Sequence, residues 1–377
     1  MKEGLKPTII SAFVLALASF GDAFLYPVLP INAAQLGVPL IWVGFLLSIN
    51  RFIRLAANQV FGWLFNKFGY KRLTILAAVF AAMSTLCYGL ASGLVVWIAA
   101  RIVWGLCYSS LRISCISYSL HGKNQGFLLG LSRGLQETGP ILALMLGPIL
   151  MQYVSVQTTF IIFSGLSVSA IILAFYLPEL PKSQQSYTFS INAIPGSFNA
   201  LVFISALVVE GMLVVLIGKL FAGDQISALE LTGITAFYIG YRRFSNVFVS
   251  PFAGKIADKS GIEKIFLIAV FFTILSLLLI VAGYIRVGLL FTFTFQSISS
   301  ALAPGGAAAN QENRLKAIAA NVTWRDLGSA SGALLGGSLL LADTVKPYLI
   351  FSTLILFSAL LIHLILSKQL KYPLKWR

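Results

Sequence analysis

Apolar runs of bilayer length recur from one end of this chain to the other, and that feature removes most folds from consideration. A membrane-crossing helix needs about 20 consecutive, mainly apolar residues. In lipid each backbone N–H and C=O must be satisfied within the structure, so unbroken runs of this kind can only be helices. Reading apolar stretches against charged, proline and glycine breaks gives twelve spans, near 8–28, 39–65, 73–91, 94–118, 126–151, 155–177, 199–221, 229–254, 265–284, 287–308, 317–342 and 347–367. Only 10% of the 377 residues are charged, against about 25% in a soluble domain, and mean hydropathy is +0.90. The expected fold is an all-α membrane protein of twelve transmembrane helices. The longest polar break, PELPKSQQSYTFSINAIPGSF, divides the spans six and six. The expected domains are therefore an N-terminal six-helix bundle over 1–177, a cytoplasmic linker over 178–198, and a C-terminal bundle over 199–377 that ends in a basic tail.

The cations set an orientation. With the N-terminus in the cytoplasm, sixteen of the 27 Lys and Arg fall on cytoplasmic segments, and only Lys219, Arg286 and Lys346 fall at outer ends. This asymmetry puts both termini in the cytoplasm of a cell-membrane protein. The net charge of +15 is thus largely topology, and no nucleic-acid partner is expected. The tail KQLKYPLKWR is suited to anionic lipid headgroups. The first span continues without an Ala-x-Ala-like cleavage site, so it reads as a retained helix. Cys87, Cys107 and Cys115 lie in spans without metal spacing, and His121 and His363 have no neighbours that suggest a metal site or a triad. No enzyme, metal or cofactor is expected.

Sliding the sequence along itself by 192 residues puts Arg51-Phe52 on Arg243-Phe244, Gly62 on Gly254, Lys67 on Lys259, Gly69 on Gly261 and Arg133 on Arg325. Span two therefore matches span eight, and span five matches span eleven. The six-helix halves read as a duplication, which places a substrate site at their interface.

The stretches GWLFNKFGYKR (Gly62 to Arg72) and GKIADKSGIEK (Gly254 to Lys264) resemble the loop signature of the major facilitator superfamily, roughly Gly-x-Leu-Ala-Asp-Arg-x-Gly-Arg-Lys. It lies between helices two and three and again between eight and nine. The second copy keeps its acid as Asp258, whereas the first has Asn66 there. Arg101 and Gly105 resemble the family's fourth-helix Arg-x-x-x-Gly signature. GSASGALLGG (Gly328 to Gly337) has the glycine spacing of the fifth-helix signature of exporting antiporters, but lies in span eleven with Ala333 replacing the proline. Span five carries Gly139-Pro140, with Ala143-Leu144 in place of the glycine pair. The resemblance covers essentially the whole chain. It implies two pseudo-symmetric six-helix bundles, working as a monomer, that rock around a central cleft and expose it to either side in turn.

Charges inside the spans mark the candidate site. Eight arginines are embedded (Arg51, Arg54, Arg101, Arg112, Arg133, Arg242, Arg243 and Arg325), with four acids (Asp22, Glu137, Glu210 and Asp326). Each such charge costs about 2.5–3.5 kcal/mol on the insertion scale, so they face a cavity or one another. Structural readings exist for several. Glu137 is one turn from Arg133 and pairs with it locally, Arg325 and Asp326 pair with neighbouring helices, and Arg112 snorkels. A sharper reading concerns faces. Arg51, Arg54 and Asn58 share one at i, i+3 and i+7; Arg243, Asn246 and Ser250 repeat it; Arg101, Gly105, Tyr108 and Arg112 form a stripe on span four. The expected substrate pathway is lined by Arg51, Arg54, Asn58, Arg101, Tyr108, Arg243 and Asn246. Guanidinium forks suit carboxylate or phosphate groups. Asp22 and Glu210, midway along the first helix of each half, are candidates for proton coupling, with Glu137, Arg133, Arg325 and Asp326 as charge-pair candidates.

The expected function is secondary transport of a small organic anion or zwitterion, coupled to protons and directed outward. Uptake of an anionic nutrient or metallophore would suit the arginines too. From other classes, a lipid mover or a non-transporting membrane sensor are the rivals.

Overall fold

The computed structural model describes residues 4–90, 93–121, 125–180, 195–222, 226–308 and 314–371. The described residues are helical throughout, with no strand among them. Helices α1 (Leu5–Ala18) and α2 (Phe20–Asn32) together make the first span, and α3 (Val43–Phe68), α4 (Tyr70–Leu90) and α5 (Leu94–Leu120) make the next three. The fifth is α6 (Gln125–Gln136) with α7 (Thr138–Leu150), and the sixth is α8 (Val156–Phe175). The seventh runs through α9 (Ser197–Ser205), a π-helical segment (Ala206–Leu213) and α10 (Val214–Phe221). The last five are α11 (Ala228–Ser260), α12 (Ile262–Val281), α13 (Ile285–Ala308), α14 (Arg314–Ser338) and α15 (Lys346–Lys371). All twelve expected spans are thus helical.

Three spans are interrupted, each for a local reason. In the first, the Ser19 hydroxyl donates to the Leu15 carbonyl at 2.6 Å, a back-bond that bends helices, and Ser19 sits at φ −88°, ψ 0° between α1 and α2. In the fifth, Pro140 has no N–H to give the carbonyl of Gln136, so the helix is recast as two, and proline is tolerated in the first turn of α7. In the seventh, the π segment inserts extra backbone mid-span, a feature frequent at functional sites.

The chain forms two compact units. The first comprises Met1–Thr188 and Phe221–Arg243, the second Phe189–Leu220 and Phe244–Arg377. A boundary therefore falls inside α11, at Arg243/Phe244. In the first unit, buried aromatics from several spans meet: Tyr88 stacks on Trp97 with centroids 5.2 Å apart, and Phe24 meets Phe163 edge-on at 5.3 Å. Buried hydroxyls satisfy themselves on the preceding turn, as Ser48 does on Gly44 and Thr74 on Tyr70. The Thr74 and Ser114 hydroxyls, 2.6 Å apart, tie α4 to α5. In a bilayer such bonds replace those that water would supply.

The second unit is built on close backbone approach between the seventh span and α14. A Cβ added to Gly336 would sit 2.9 Å from the Met212 carbonyl oxygen, and Gly328 and Gly332 press in the same way on the carbonyls of Phe203 and Leu207. Small residues that let backbones touch are the usual basis of helix association in lipid. At the far end of this contact the Lys219 ammonium donates to the carbonyls of Leu339 (3.3 Å), Leu340 (2.7 Å) and Ala342. It thereby occupies acceptors that the end of α14 leaves over. Replacing Lys219 with Met should destabilise the protein by about 1.5–3 kcal/mol, the scale of hydrogen bonds to charged groups, read as a lower melting temperature in detergent.

Candidate functional site

Three intramembrane acids each meet an arginine, and each acid sits at one of the helix interruptions. Asp22 lies in the first turn of α2, just past the Ser19 break. Its Oδ1 accepts from Arg101 Nη1 at 2.5 Å, with the arginine side chain fully buried and the aspartate 13% exposed. Arg101 also donates through Nε to the Leu46 carbonyl (2.7 Å) and through Nη1 to the Tyr88 hydroxyl (3.2 Å). The Arg-x-x-x-Gly spacing explains the position. One turn on, a Cβ at Gly105 would lie 2.7 Å from the Asn50 carbonyl oxygen, so α5 and α3 cross in close contact there. That crossing brings Arg101 within reach of Leu46, one turn before Asn50.

Glu137 stands between α6 and α7, at the N-terminus of α7, where the helix dipole favours a carboxylate. Its Oε2 accepts from Arg243 Nη1 at 2.7 Å, both side chains being mostly buried. Arg243 belongs to the part of α11 that falls in the first unit. The local Arg133–Glu137 pairing suggested by spacing is therefore not the only use of Glu137, and Arg133 itself is exposed.

Glu210 lies within the π segment of the second unit. Its two oxygens accept from Arg325 Nε (2.8 Å) and Nη2 (3.0 Å), a bidentate fork, and Oε1 also accepts from Gln296 Nε2 at 2.7 Å. This is the geometry for which guanidinium is suited and ammonium is not.

Two other arginines lie against aromatic rings. The Arg51 guanidinium carbon is 5.3 Å from the centre of the Tyr26 ring, and that of Arg54 is 4.7 Å from Tyr108. Both distances are within cation–π range. The first unit thus gathers Arg51, Arg54, Arg101, Tyr108 and Arg243 of the expected pathway residues, with Asp22 and Glu137. Arg101 is held deep inside, not along an exposed wall. Asn246, half-buried, falls in the second unit with Glu210, Arg325 and Asp326, whose backbone carbonyl accepts from the Ser329 hydroxyl at 3.0 Å. The side chains of Asn58, Gly62, Ser250 and Asp258 lie outside the described residues.

The loop motif appears in both copies. Gly69 and Gly261 close α3 and open α12 at φ 87° and 95°, in the left-handed region that glycine enters without penalty. Asn66 is half-buried. The carboxylate of Glu179 lies over Gly69, 3.0 Å from where its Cβ would be, at the N-terminus of α4 where an anion is favoured. Gly254 has no described atom within 4 Å of its Cβ position.

Sequence reasoning missed Gln296, Tyr26, Tyr88 and Glu179. Gln296 was discoverable: an uncharged amide in the middle of an apolar span has the same need of a partner as a charge. The tyrosines carry no such signal.

Apolar helical spans that carry paired charges describe a multi-pass membrane protein, and the family it matches is one of transporters, not enzymes. The chain belongs to the major facilitator superfamily: the model of that family, described as Major Facilitator Superfamily, matches residues 11–223. Curated relatives include the multidrug resistance protein MdtG of Salmonella dublin and that of Salmonella typhimurium strain LT2. Each is 23% identical over 366 residues, covering 90% of this chain and 89% of the relative. Among solved structures, the nucleoside transporter NupG superposes with a TM-score of 0.72 at 15% identity over 97% of this chain and 99% of that one. A mutant form of NupG gives a TM-score of 0.75 at 14% identity over 96% and 100%. These structures share the fold. The resemblance read from the loop motifs is confirmed by the family match, and a small-molecule substrate follows from it.

Proposed function

We propose that this transporter moves a small organic anion or zwitterion outward in exchange for protons, by alternating access between its two bundles, with both termini in the cytoplasm. The observation that carries this reading is that three acids that meet an arginine, Asp22, Glu137 and Glu210, sit where their helices are interrupted. A buried ion pair contributes little net stability, so its retention calls for another role. At a helix interruption the backbone has more than one arrangement available, and protonating the acid would release the arginine that holds it. Released guanidiniums are the natural receptors for carboxylate or phosphate on the solute. The cation–π seats of Arg51 and Arg54 support a positive lining in the first unit. The name of the relatives, multidrug resistance protein, supports the outward direction.

Reconstitution into liposomes with an internal pH-sensitive dye tests the coupling. An imposed pH gradient should drive accumulation of anionic or zwitterionic test solutes, with matching proton movement. Accumulation of lipophilic cations alone would overturn the anionic reading, and solute movement without proton movement would overturn the coupling.

Arg243 separates a working residue from a strut. Arg243→Gln alone should lower the melting temperature, because the mostly buried Glu137 carboxyl then loses this guanidinium, and should weaken solute binding by about ten- to a hundredfold. Adding Glu137→Gln should restore the melting temperature while binding stays weak. If binding recovers as well, the pair holds helices together and does not meet the solute.

A further inference from the structure

Gln296 is 2% exposed, and its amide is used on one side only. Nε2 donates to Glu210, whereas Oε1 is buried and accepts no hydrogen bond from any described group. Turning the amide over gives no relief, since Oε1 would then face the Glu210 carboxylate, acceptor against acceptor. Buried carbonyl oxygens in this state call for an occupant. Beside Gln296 lies a recess bordered by Ser205, Glu210, Phe266, Ser300 and Arg325, and it offers about 10 Å³ to a water-sized sphere. That is the room of about one water, and a water is stable in such a place when it has two to four polar partners. Gln296 Oε1 would take one of its hydrogens, and Ser205, Ser300 and Glu210 border the same space.

We propose that this recess is a hydration site for a single water held on Gln296 Oε1, and that this water carries protons to and from Glu210. The second part rests on the proton-coupled reading above. A proton passes from the water to a Glu210 oxygen while the water takes another from solvent at the mouth of the recess, so the water is unchanged and Glu210 becomes neutral. The Arg325 fork then no longer closes on a carboxylate. Of the elements bordering the recess, α14 brings Arg325, followed in sequence by Asp326. Of the others, α12 carries Glu263 one turn before Phe266, 3.5 Å from His363, and the bordering residues besides Glu210 and Arg325 are uncharged.

Radiolytic hydroxyl labelling of the purified full chain in detergent tests the site, because bound waters generate radicals in place. Phe266 is 2% exposed and borders the recess. Phe293 is 0% exposed, lies one turn from Gln296 on α13 and is not among the residues bordering it. Phe266 should be labelled several-fold faster than Phe293, and Gln296→Leu should bring the two rates together. Equal rates in the unaltered protein would overturn the hydration site, and need no variant to fold. Proton flux in the liposome assay is read separately. Fast labelling of Phe266 with a flux that Gln296→Leu leaves unchanged would overturn the water's role in proton transfer. Fast labelling in a protein that moves no protons would instead reject the coupling reading and leave the hydration site standing.

Discussion

Asp22→Asn should destabilise the first unit more than Arg101→Gln does, although both remove the same ion pair. Arg101 is fully buried and bonded to Asp22, Leu46 and Tyr88. Removing one member of a buried pair costs about 3–5 kcal/mol, because the survivor keeps a desolvated charge. The two survivors differ. A stranded carboxylate can take up a proton and become neutral, whereas a guanidinium stays charged at any accessible pH. With Asp22 gone, Arg101 retains two neutral oxygen partners for a full positive charge. Melting temperatures of the purified variants in detergent should therefore fall in the order unaltered, Arg101→Gln, Asp22→Asn. The combined Arg101→Met and Asp22→Asn change leaves no buried charge and should melt above Asp22→Asn alone. Equal melting of all variants would show that the pair contributes nothing to the folded state.

This pair shows where sequence was sufficient and where it was not. Helical spans follow from apolar length alone, and among the described residues nine stretches pass a strict test of length and hydropathy. The spans that do not pass include α6 with α7, α11 and α14, which carry Arg133 and Glu137, Arg242 and Arg243, and Arg325 and Asp326. Low hydropathy thus marked both partners of the Arg243–Glu137 pair and the arginine of the Arg325–Glu210 pair, whereas Glu210 lies in a strongly apolar span. Which arginine meets which acid was not legible, because the partners stand 79, 106 and 115 residues apart. Spacing along one helix favours the i, i+4 neighbour, and so it suggested Arg133 for Glu137. The duplication was legible as a 192-residue offset and reappears in backbone form at Gly69 and Gly261. Of the repeat mates, Arg51 lies over a tyrosine ring and Arg243 meets a carboxylate. The π segment was not legible, since it follows from how the seventh span seats on α14, and the Ser19 break was not, since serine occurs in many unbroken spans.

Gly332→Ala should be among the most damaging single-methyl additions in the chain, and the reason lies in the register of the seventh span. Glycines recur every four residues along α14, at 328, 332 and 336. The carbonyls they press on belong to Phe203, Leu207 and Met212, separated by four residues and then five. The extra residue is the one that the π segment absorbs, so the bulge is what keeps both ends of the span seated on one glycine stripe. Gly211 completes the contact from the other side, its Cβ position lying 2.5 Å from the Ser329 carbonyl oxygen and 2.6 Å from the Gly332 Cα. At Gly332 an added methyl would meet the Leu207 carbonyl carbon at 2.8 Å and its Cα at 2.9 Å. Backbone cannot swing aside as a side chain can, so the helices must part. Overpacking of this kind costs about 1–3 kcal/mol, sometimes more, and here it would also pull Glu210 away from Arg325 and Gln296. Gly165→Ala is the control, since no described atom lies within 4 Å of its Cβ position; it should be neutral or slightly stabilising, because alanine favours the helix by up to about 1 kcal/mol. Melting temperature and solute binding measured together should both fall for Gly332→Ala. A variant as stable as Gly165→Ala would mean that α14 and the seventh span do not meet backbone to backbone.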